Sequence, residues 1–282
     1  MKREETTGHN RTNSKGPNVI SRLVKGIHDG FTHGAKTTPN VINLDPTLEG
    51  IIKLINQGDE IGAISAISEL EDINIINVEI NESGETLLHL AGQYSFHNLA
   101  AELLARMSQE GIDHVDNDGQ TALHESAING TNSKTLALIV NKINFNLVGK
   151  ADNEDRTALH YAADSKATSQ ECVRMVTALL KRSKLESIYF KTKDTRETAL
   201  QLAVDSDDPD VVRPILDAMT KKEGILNVDK DGNTALHKAL TRGQSELADM
   251  LWSDAISSRY ADKVVNMLNS EHYSLLELRY RR

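Results

Sequence analysis

The sequence predicts an all-α solenoid of stacked two-helix repeats, and three observations lead to that prediction. A Thr-x-Leu-His tetrapeptide recurs, with Gln in place of His in one copy; the copies begin at Thr86, Thr121, Thr157, Thr198 and Thr234. Successive threonines are 35, 36, 41 and 36 residues apart. Apolar residues spaced four apart follow the tetrapeptide, as in Leu99 and Leu103. Units of this length bury their apolar faces by stacking on neighbours, which indicates a binding scaffold rather than a catalytic fold.

The residues around Thr234 show the order of elements within one repeat. The run 229–233 (Asp-Lys-Asp-Gly-Asn) has turn chemistry, with its Gly where positive φ is favoured. Thr234 is a good N-cap, and the Ala, Leu and Ala residues after it place small and apolar groups along one side of a short helix. Gly243 ends that helix, and Leu247 and Leu251 mark a second, longer one.

This order of turn, short helix, loop and longer helix resembles the ankyrin repeat, whose hallmark is Thr-Pro-Leu-His-x-Ala. Five copies carry the resemblance, over residues 81–256. The resemblance implies a concave strip, formed by the turns and the exposed side of the short helices, that binds another protein. It also implies a structural role for the recurring His, which would bond to the Thr and to the backbone of the adjoining turn.

The sequence divides into three segments. Residues 1–45 are expected to be disordered, apart from an amphipathic helix at Val19–Phe31 that either packs on the first repeat or contacts a partner or a membrane surface. Residues 46–256 form the array, and its first unit, over 51–70, lacks the tetrapeptide as terminal repeats do. Residues 257–282 supply a helical C-terminal cap and a basic tail.

Three departures from the repeat pattern lie in the middle of the array. Two turns carry Asp155 and Arg196 where Gly is favoured, and because Arg tolerates left-handed geometry poorly, we expect the second turn to be rebuilt. The 41-residue interval holds extra residues, which we place at 165–169 and in a longer turn at 184–193. Gln201 replaces His but keeps the Thr-x-x-Gln pattern of a capping box.

The sequence predicts neither catalysis nor a bound metal or cofactor. The recurring His occurs once per repeat rather than as a His-x-x-x-His pair, so no metal site is expected. There is no phosphate-binding Gly-rich loop, no Gly-x-Ser-x-Gly and no Cys-x-x-Cys. We therefore expect a protein that is not an enzyme, and an enzyme with an unrecognised site is the remote alternative.

Charge and composition disfavour nucleic acid as a partner and favour a cytoplasmic protein. Residues 1–45 carry a net charge of +3 and the remaining residues one of −12, whereas phosphate binding needs clustered Lys and Arg. No apolar run approaches the roughly 18 residues that cross a membrane. The first 15 residues lack the apolar stretch of a secretory signal, and the single Cys suits a reducing compartment.

The candidate binding residues are the acidic and apolar side chains of the concave strip. Asp164 and Asp205 occupy matching positions of adjacent repeats, so we expect them to lie side by side. Like charges held together cost stability unless a positive group meets them, which predicts a basic protein segment as the ligand. The predicted contact residues are Tyr94, Ile128, Glu154, Tyr161, Asp164, Asp194, Glu197 and Asp205.

The resemblance leaves two settings open for this binding. The chain is either an intracellular adaptor or inhibitor that masks a basic segment of a regulatory protein, or an effector that an intracellular bacterium delivers into the host cytoplasm. The Asn- and Ile-rich run 72–77 and the basic end 279–282 suit the second setting.

Overall fold

A computed structural model describes residues 44–219, 222–257, 262–263, 266–267 and 274, without the side chains of residues 185, 222 and 223. The predicted helix at 19–31, the basic end and most of the predicted C-terminal cap lie outside these residues. The described residues are helical with no strand, which confirms the predicted all-α class; one isolated antiparallel bridge joins Ala151 and Thr157.

Twelve of the described α-helices form six pairs, and each pair forms one unit; two four-residue helices lie between units. We label the α-helices in chain order: α1 Pro46–Asn56, α2 Glu60–Ser68, α3 Leu87–Gln93, α4 His97–Arg106, α5 Gln109–Ile112, α6 Ala122–Asn129, α7 Ser133–Lys142, α8 Phe145–Val148, α9 Ala158–Ala163, α10 Ser169–Arg182, α11 Ala199–Ala203, α12 Pro209–Ala218, α13 Ala235–Arg242 and α14 Ser245–Ile256. Short 3-10 turns cover Ile73–Asn77, Leu185–Tyr189, Val204–Ser206 and Lys222–Leu226.

Six units follow from this order. Units 1 to 6 are built on the helix pairs α1/α2, α3/α4, α6/α7, α9/α10, α11/α12 and α13/α14. The predicted first unit has the same helix–Gly–helix order, with Gly58 at φ 82° between its helices. Its two N-caps are Asp45 and Asp59 rather than Thr, and each side chain accepts from a main-chain N–H of its own helix.

In units 2 to 6 the recurrent Thr is the N-cap of the first helix. The Thr side chain and the side chain three residues later form a capping box in every one of these units, including the Thr198–Gln201 box predicted from the sequence. The small and apolar residues that follow are buried between units. Gly92 shows how close the first helices come, because a Cβ there would lie 2.8 Å from the Ala122 carbonyl oxygen of α6.

The second helices complete the apolar core. Their buried residues are spaced three or four apart and face the neighbouring units, as sequence periodicity predicted. Leu99, Leu103, Leu136, Ile139 and Leu251 are fully buried. None of the described helices combines the length and the apolar character that crossing a bilayer requires.

The extra residues of the long interval do not lie where the sequence was expected to place them. The second helix begins twelve residues after its Thr in both unit 3 and unit 4, but α10 has 14 residues and α7 has 10. The inserted residues thus lengthen α10 by one turn instead of widening the preceding connection. The turn over 192–197 contains one further residue. There the Arg196 N–H donates to the carbonyl four residues back, at Thr192, whereas in unit 4 the equivalent Asp155 N–H donates to the carbonyl three residues back, at Asp152.

The turns before each Thr, which we call fingers, form a ladder. The N–H groups of Asn117, Asn153, Lys193 and Lys230 donate to carbonyls of the preceding finger at 2.9–3.0 Å. Arg196 retains left-handed geometry at φ 57° although its finger is one residue longer, so that turn is both rebuilt and strained.

Candidate functional site

One surface with mostly polar residues runs along the first helices, and we call it the inner strip. In each of units 2 to 6 it consists of the residue before the Thr and the fourth, seventh and eighth residues after it. Contacts between units show that these positions adjoin: Lys238 of unit 6 reaches Glu197 and Asp205 of unit 5, and Gln120 of unit 3 reaches Tyr161 of unit 4. Six of the eight predicted contact residues lie on the inner strip, and Glu154 and Asp194 lie outside it.

Behind the inner strip, the recurring histidines hold the units together. Nδ1 of His89, His124 and His160 accepts from the N–H of the Thr in the same unit at 3.1–3.2 Å. A neutral ring that accepts at Nδ1 carries its proton on Nε2. Nε2 accordingly donates to a main-chain carbonyl of the next unit: Gln120 at 3.4 Å, Lys150 at 3.0 Å and Phe190 at 3.0 Å.

These histidines are structural, as the resemblance implied. All three are buried, and burial lowers the pKa of each ring to about 4, which keeps it neutral at pH 7. In unit 5, Gln201 reproduces both bonds: its Oε1 accepts from Thr198 N–H at 2.9 Å and its Nε2 donates to the Asn233 carbonyl at 2.7 Å.

In units 5 and 6 the acidic side chains of the inner strip are neutralised within the array. Lys238 is only 9% exposed and bonds to the carboxylates of Glu197 and Asp205 and to the Gln201 carbonyl. Arg242 pairs with the same Asp205. The expectation that these carboxylates need an external cation is therefore wrong, because the next unit supplies one.

Unit 4 neutralises its own acidic residue. Arg156 lies 2.8 Å from the Asp164 carboxylate and also covers the Tyr161 ring, with its guanidinium carbon 4.8 Å from the ring centre. Tyr161 is held from the other side, because its hydroxyl donates to Asp152 at 2.6 Å. The predicted contact residues Asp164 and Tyr161 thus belong to one intramolecular cluster, in which the Arg156 guanidinium pairs with the Asp164 carboxylate.

Units 2 and 3 differ, because they bring three carboxylates together. Carboxylate oxygens of Glu85, Asp116 and Glu125 all lie within 4.8 Å of one another, and we call this group the acidic cluster. Glu125 is buried in α6, and Glu85 and Asp116 are half-buried.

The charge of the acidic cluster is reflected in its titration. Burial raises the pKa of the Asp116 carboxyl, two N–H groups of its own finger lower it, and the charges of Asp118 and Glu85 raise it further. Burial and then the charge of Glu85 raise the pKa of the nearby Tyr94 hydroxyl. In the part of the chain that the structure describes, no Lys or Arg pairs with Glu85 or Asp116; Glu85 accepts from the Asn81 side chain.

Apolar groups border the acidic cluster. Tyr94 and Ile128 are both half-buried, at the ends of α3 and α6. Tyr94 packs against Phe96, with ring centres 5.5 Å apart, and its hydroxyl donates to Asn56. Both residues were predicted contacts, whereas Asp116 and Glu125 were missed. Counting positions relative to the Thr in every unit would have placed Glu125 on the inner strip, in line with Tyr161 and Lys238.

The remaining predicted residues lie at the finger tips. Glu154 and Asp194 are exposed, and Glu154 is only loosely paired with Lys193, at 3.9 Å. They belong to adjacent fingers, but nothing else converges on them among the described residues. Glu85 and Asp116, with which no described Lys or Arg pairs, thus lie together at the acidic cluster rather than at these tips.

Comparison with known proteins agrees with this architecture. A family model described as ankyrin repeats (3 copies) matches residues 88–187 and 174–263. The crystal structure of the ankyrin repeat domain of Bcl-3, a unique member of the IkappaB protein family, is 20% identical, with a TM-score of 0.58 over 81% of this chain and 92% of that one. An ankyrin repeat protein from Leishmania major is also 20% identical, with a TM-score of 0.49 over 82% of this chain and 76% of that one.

Proposed function

This chain belongs to the ankyrin repeat family, and we propose that its inner strip binds a basic segment of another protein with the acidic cluster as the anchor. Members of this family are generally non-catalytic modules that bind proteins. The observation that carries the proposal is the contrast along the inner strip. Glu197, Asp205 and Asp164 are paired by the array itself, whereas Glu85 and Asp116 are not.

The energetics of the acidic cluster support a positively charged ligand. Burial first, and then the charges of Asp118 and Glu85, raise the pKa of Asp116, so desolvation and repulsion both disfavour the charged form of this site. An Arg or Lys side chain of a partner would relieve the repulsion and form charge-assisted hydrogen bonds with several acceptors at once. The unliganded array thus holds a carboxyl group with a perturbed pKa, and such groups are common at binding sites.

Tyr94 and Ile128 would complete the contact. Aromatic residues beside a desolvated charge pair are frequent anchors of protein interfaces, because they contribute a large area at little entropic cost. Glu154 and Asp194 would add weaker, solvent-exposed attraction that acts on the association rate. The predicted basic partner is retained, and the centre of its site moves from units 4 and 5 to units 2 and 3.

The test compares two sets of neutralised carboxylates. Peptides selected from a random displayed library on the wild-type chain should be enriched in Arg and Lys, and their affinity should fall with salt. A Glu85→Gln, Asp116→Asn variant should lose about tenfold or more in affinity, the scale of a charge pair of roughly 1.4 kcal/mol. Asn81 occupies the turn position of Asp116 in the preceding finger and accepts the same two N–H bonds, so Asp116→Asn should leave the turn intact.

Asp164→Asn is the matched control, because Arg156 already neutralises Asp164. We expect it to change the affinity less than twofold. Selected peptides without basic residues, or equal binding by the double variant and the wild type, would overturn the proposal.

The setting of this binding is a second, separate proposal. An effector delivered into a host cell and an adaptor that masks a basic segment would use the same inner strip. A translocation assay with the last 30 residues removed distinguishes them, since only a delivered protein would depend on a secretion signal there.

A further inference from the structure

The capping boxes divide the units into two chemical classes. In units 2, 3 and 4 the Thr N–H donates to a histidine Nδ1, and the box of unit 6 has the same arrangement with His237. In unit 5 it donates to an amide oxygen, Oε1 of Gln201. A protonated imidazole has no acceptor, so a proton on Nδ1 would meet the Thr N–H head-on. An amide oxygen cannot be blocked in this way at moderate pH.

In units 2, 3 and 4 the same rings also connect one unit to the next. Each Nε2 donates to a carbonyl at the base of the following finger, 26 to 31 residues further along the chain. If the ring rotates or moves out to accept a proton, the hydrogen bond to the Thr of its own unit and the hydrogen bond to the next unit are therefore lost together. Gln201 makes the equivalent connection from unit 5 to unit 6.

The surroundings of each ring do not favour the charged form. The His114 ring lies edge-on to His89 with centres 6.0 Å apart, so two cations would adjoin there, and His124 adds to the repulsion. Around His124, burial and Lys150 oppose protonation while Asp152 favours it; the Tyr161 ring lies edge-on at 6.2 Å. Around His160, burial and Arg156 oppose protonation and Asp152 favours it. Burial dominates at all three rings, and the pKa of each falls to about 4.

We propose that the capping histidines make units 2, 3 and 4 an acid-sensitive half of the array, and that the Gln201 box of unit 5 is a fixed point which acid does not open. A histidine that is neutral when closed and free to protonate when open favours opening as the pH falls below its open-state pKa. The effect is absent above about pH 6.5, the ordinary value for histidine, and grows as the pH falls towards 4. Mild acidification would therefore loosen the N-terminal units before the unit 5 junction.

Site-resolved hydrogen exchange on the wild-type chain tests this order directly. The reporters are the amide protons of Thr86, Thr121, Thr157 and Thr198, one in each of the boxes of units 2 to 5. A shift of the histidine pKa from about 4 to about 6.5 on opening makes opening about twentyfold easier at pH 5 than at pH 7. Protection of the first three amides, corrected for intrinsic exchange, should fall by that order, and protection of Thr198 should fall less than threefold. An equal fall at all four sites would overturn the proposal.

A variant separates the contribution of one histidine to the acid response from that of the carboxylates, which titrate in the same pH range. His160→Gln creates the Thr-x-x-Gln box that unit 5 already uses, so the hydrogen bonds can persist without a titrating group. In this variant Thr157 should respond to acid as Thr198 does, while Thr86 keeps the wild-type response. If the variant folds poorly, nitrogen chemical shifts of the wild-type rings decide the matter. Ring pKa values near 6.5 in the folded protein would refute the acid-sensitive half.

Discussion

Gly119 lies against Asn153 of the next finger, so closely that a Cβ at position 119 would come within 2.7 Å of the Asn153 side-chain oxygen. Gly84 lies against Asn117 in the same way, at 3.3 Å. Each Asn donates its side-chain amide to the finger before it, at 2.8–2.9 Å. Lys193 and Lys230 take the place of the Asn in the next two fingers, and the turns that precede them have Asp155 and Arg196 at the glycine position. Glycine is thus needed in this ladder for space as well as for positive φ.

Replacing Gly119 by Ala should cost more than replacing a glycine that has only the conformational requirement. Gly243→Ala is the control, since its φ of 75° is similar but nothing lies within 4 Å of the added Cβ. We expect about 1 kcal/mol for Gly243→Ala and about 2–3 kcal/mol for Gly119→Ala, measured by urea denaturation. Equal losses would mean that Asn153 moves aside without cost.

Arg196→Gly should stabilise the array. Arg196 is exposed and has left-handed φ, so Gly relieves strain of a few tenths to about 1 kcal/mol, less the entropy Gly gains in the unfolded chain. Arg196→Ala separates this effect from the removal of charge, because it keeps the strain. A stability gain of the same size in both variants would assign it to the charge of Arg196; burial, and after it this charge, lowers the pKa of the nearby Lys191 side chain.

Lys238→Met should be strongly destabilising. It would leave the Glu197 carboxylate, 14% exposed, without its cation, and the predicted cost is about 2–3 kcal/mol. Lys193→Met removes a pair whose side chains are 61% and 66% exposed, and should cost less than about 0.5 kcal/mol. Thermal and urea denaturation of both variants give the comparison; a cost for Lys238→Met no larger than that for Lys193→Met would show that water replaces the lysine.

Glu60 is predicted to cap a helix of the next unit. The N-cap of α4 is Phe96, which offers no side-chain acceptor, and Glu60 of α2 accepts instead from the N–H groups of Asn98 and Leu99 at 2.7 and 3.0 Å. Glu60→Ala should cost about 1 kcal/mol, and Glu60→Gln should recover part of it through the remaining acceptor oxygen. No difference between the two variants in urea denaturation would argue against a capping role.

The fold was predictable because its determinants are local and repeated. A Thr with a His or Gln three residues later closes a capping box within one turn of helix, and the sequence repeats that chemistry five times. The longer α10 was not predictable in the same way. Four residues added to an amphipathic helix continue its periodicity, so the sequence shows the added length without showing which element holds it.

The candidate site was predicted only in part, because its contacts join different positions of adjacent units rather than equal positions. Asp164 and Asp205 occupy equal positions of adjacent units, and from the sequence they were expected to lie side by side. In the structure, the fourth residue after one Thr reaches the residue before the preceding Thr, as Lys238 reaches Glu197 across 41 positions. The carboxylates of unit 5 are therefore neutralised by the next unit, whereas Glu85 meets no such base because the fourth position of the next unit holds Glu125.

The added turn of α10 has a practical consequence for anyone who works with this array. The second helix of unit 4 is four residues longer than that of unit 3, yet the capping box of unit 4 and its finger bonds to both neighbours are retained. The second helix of a unit can therefore change length without disturbing the stacking on either side. The C-terminal end of α10 is the place where an epitope, a fluorescent label or a second binding loop could be inserted without changing the inner strip.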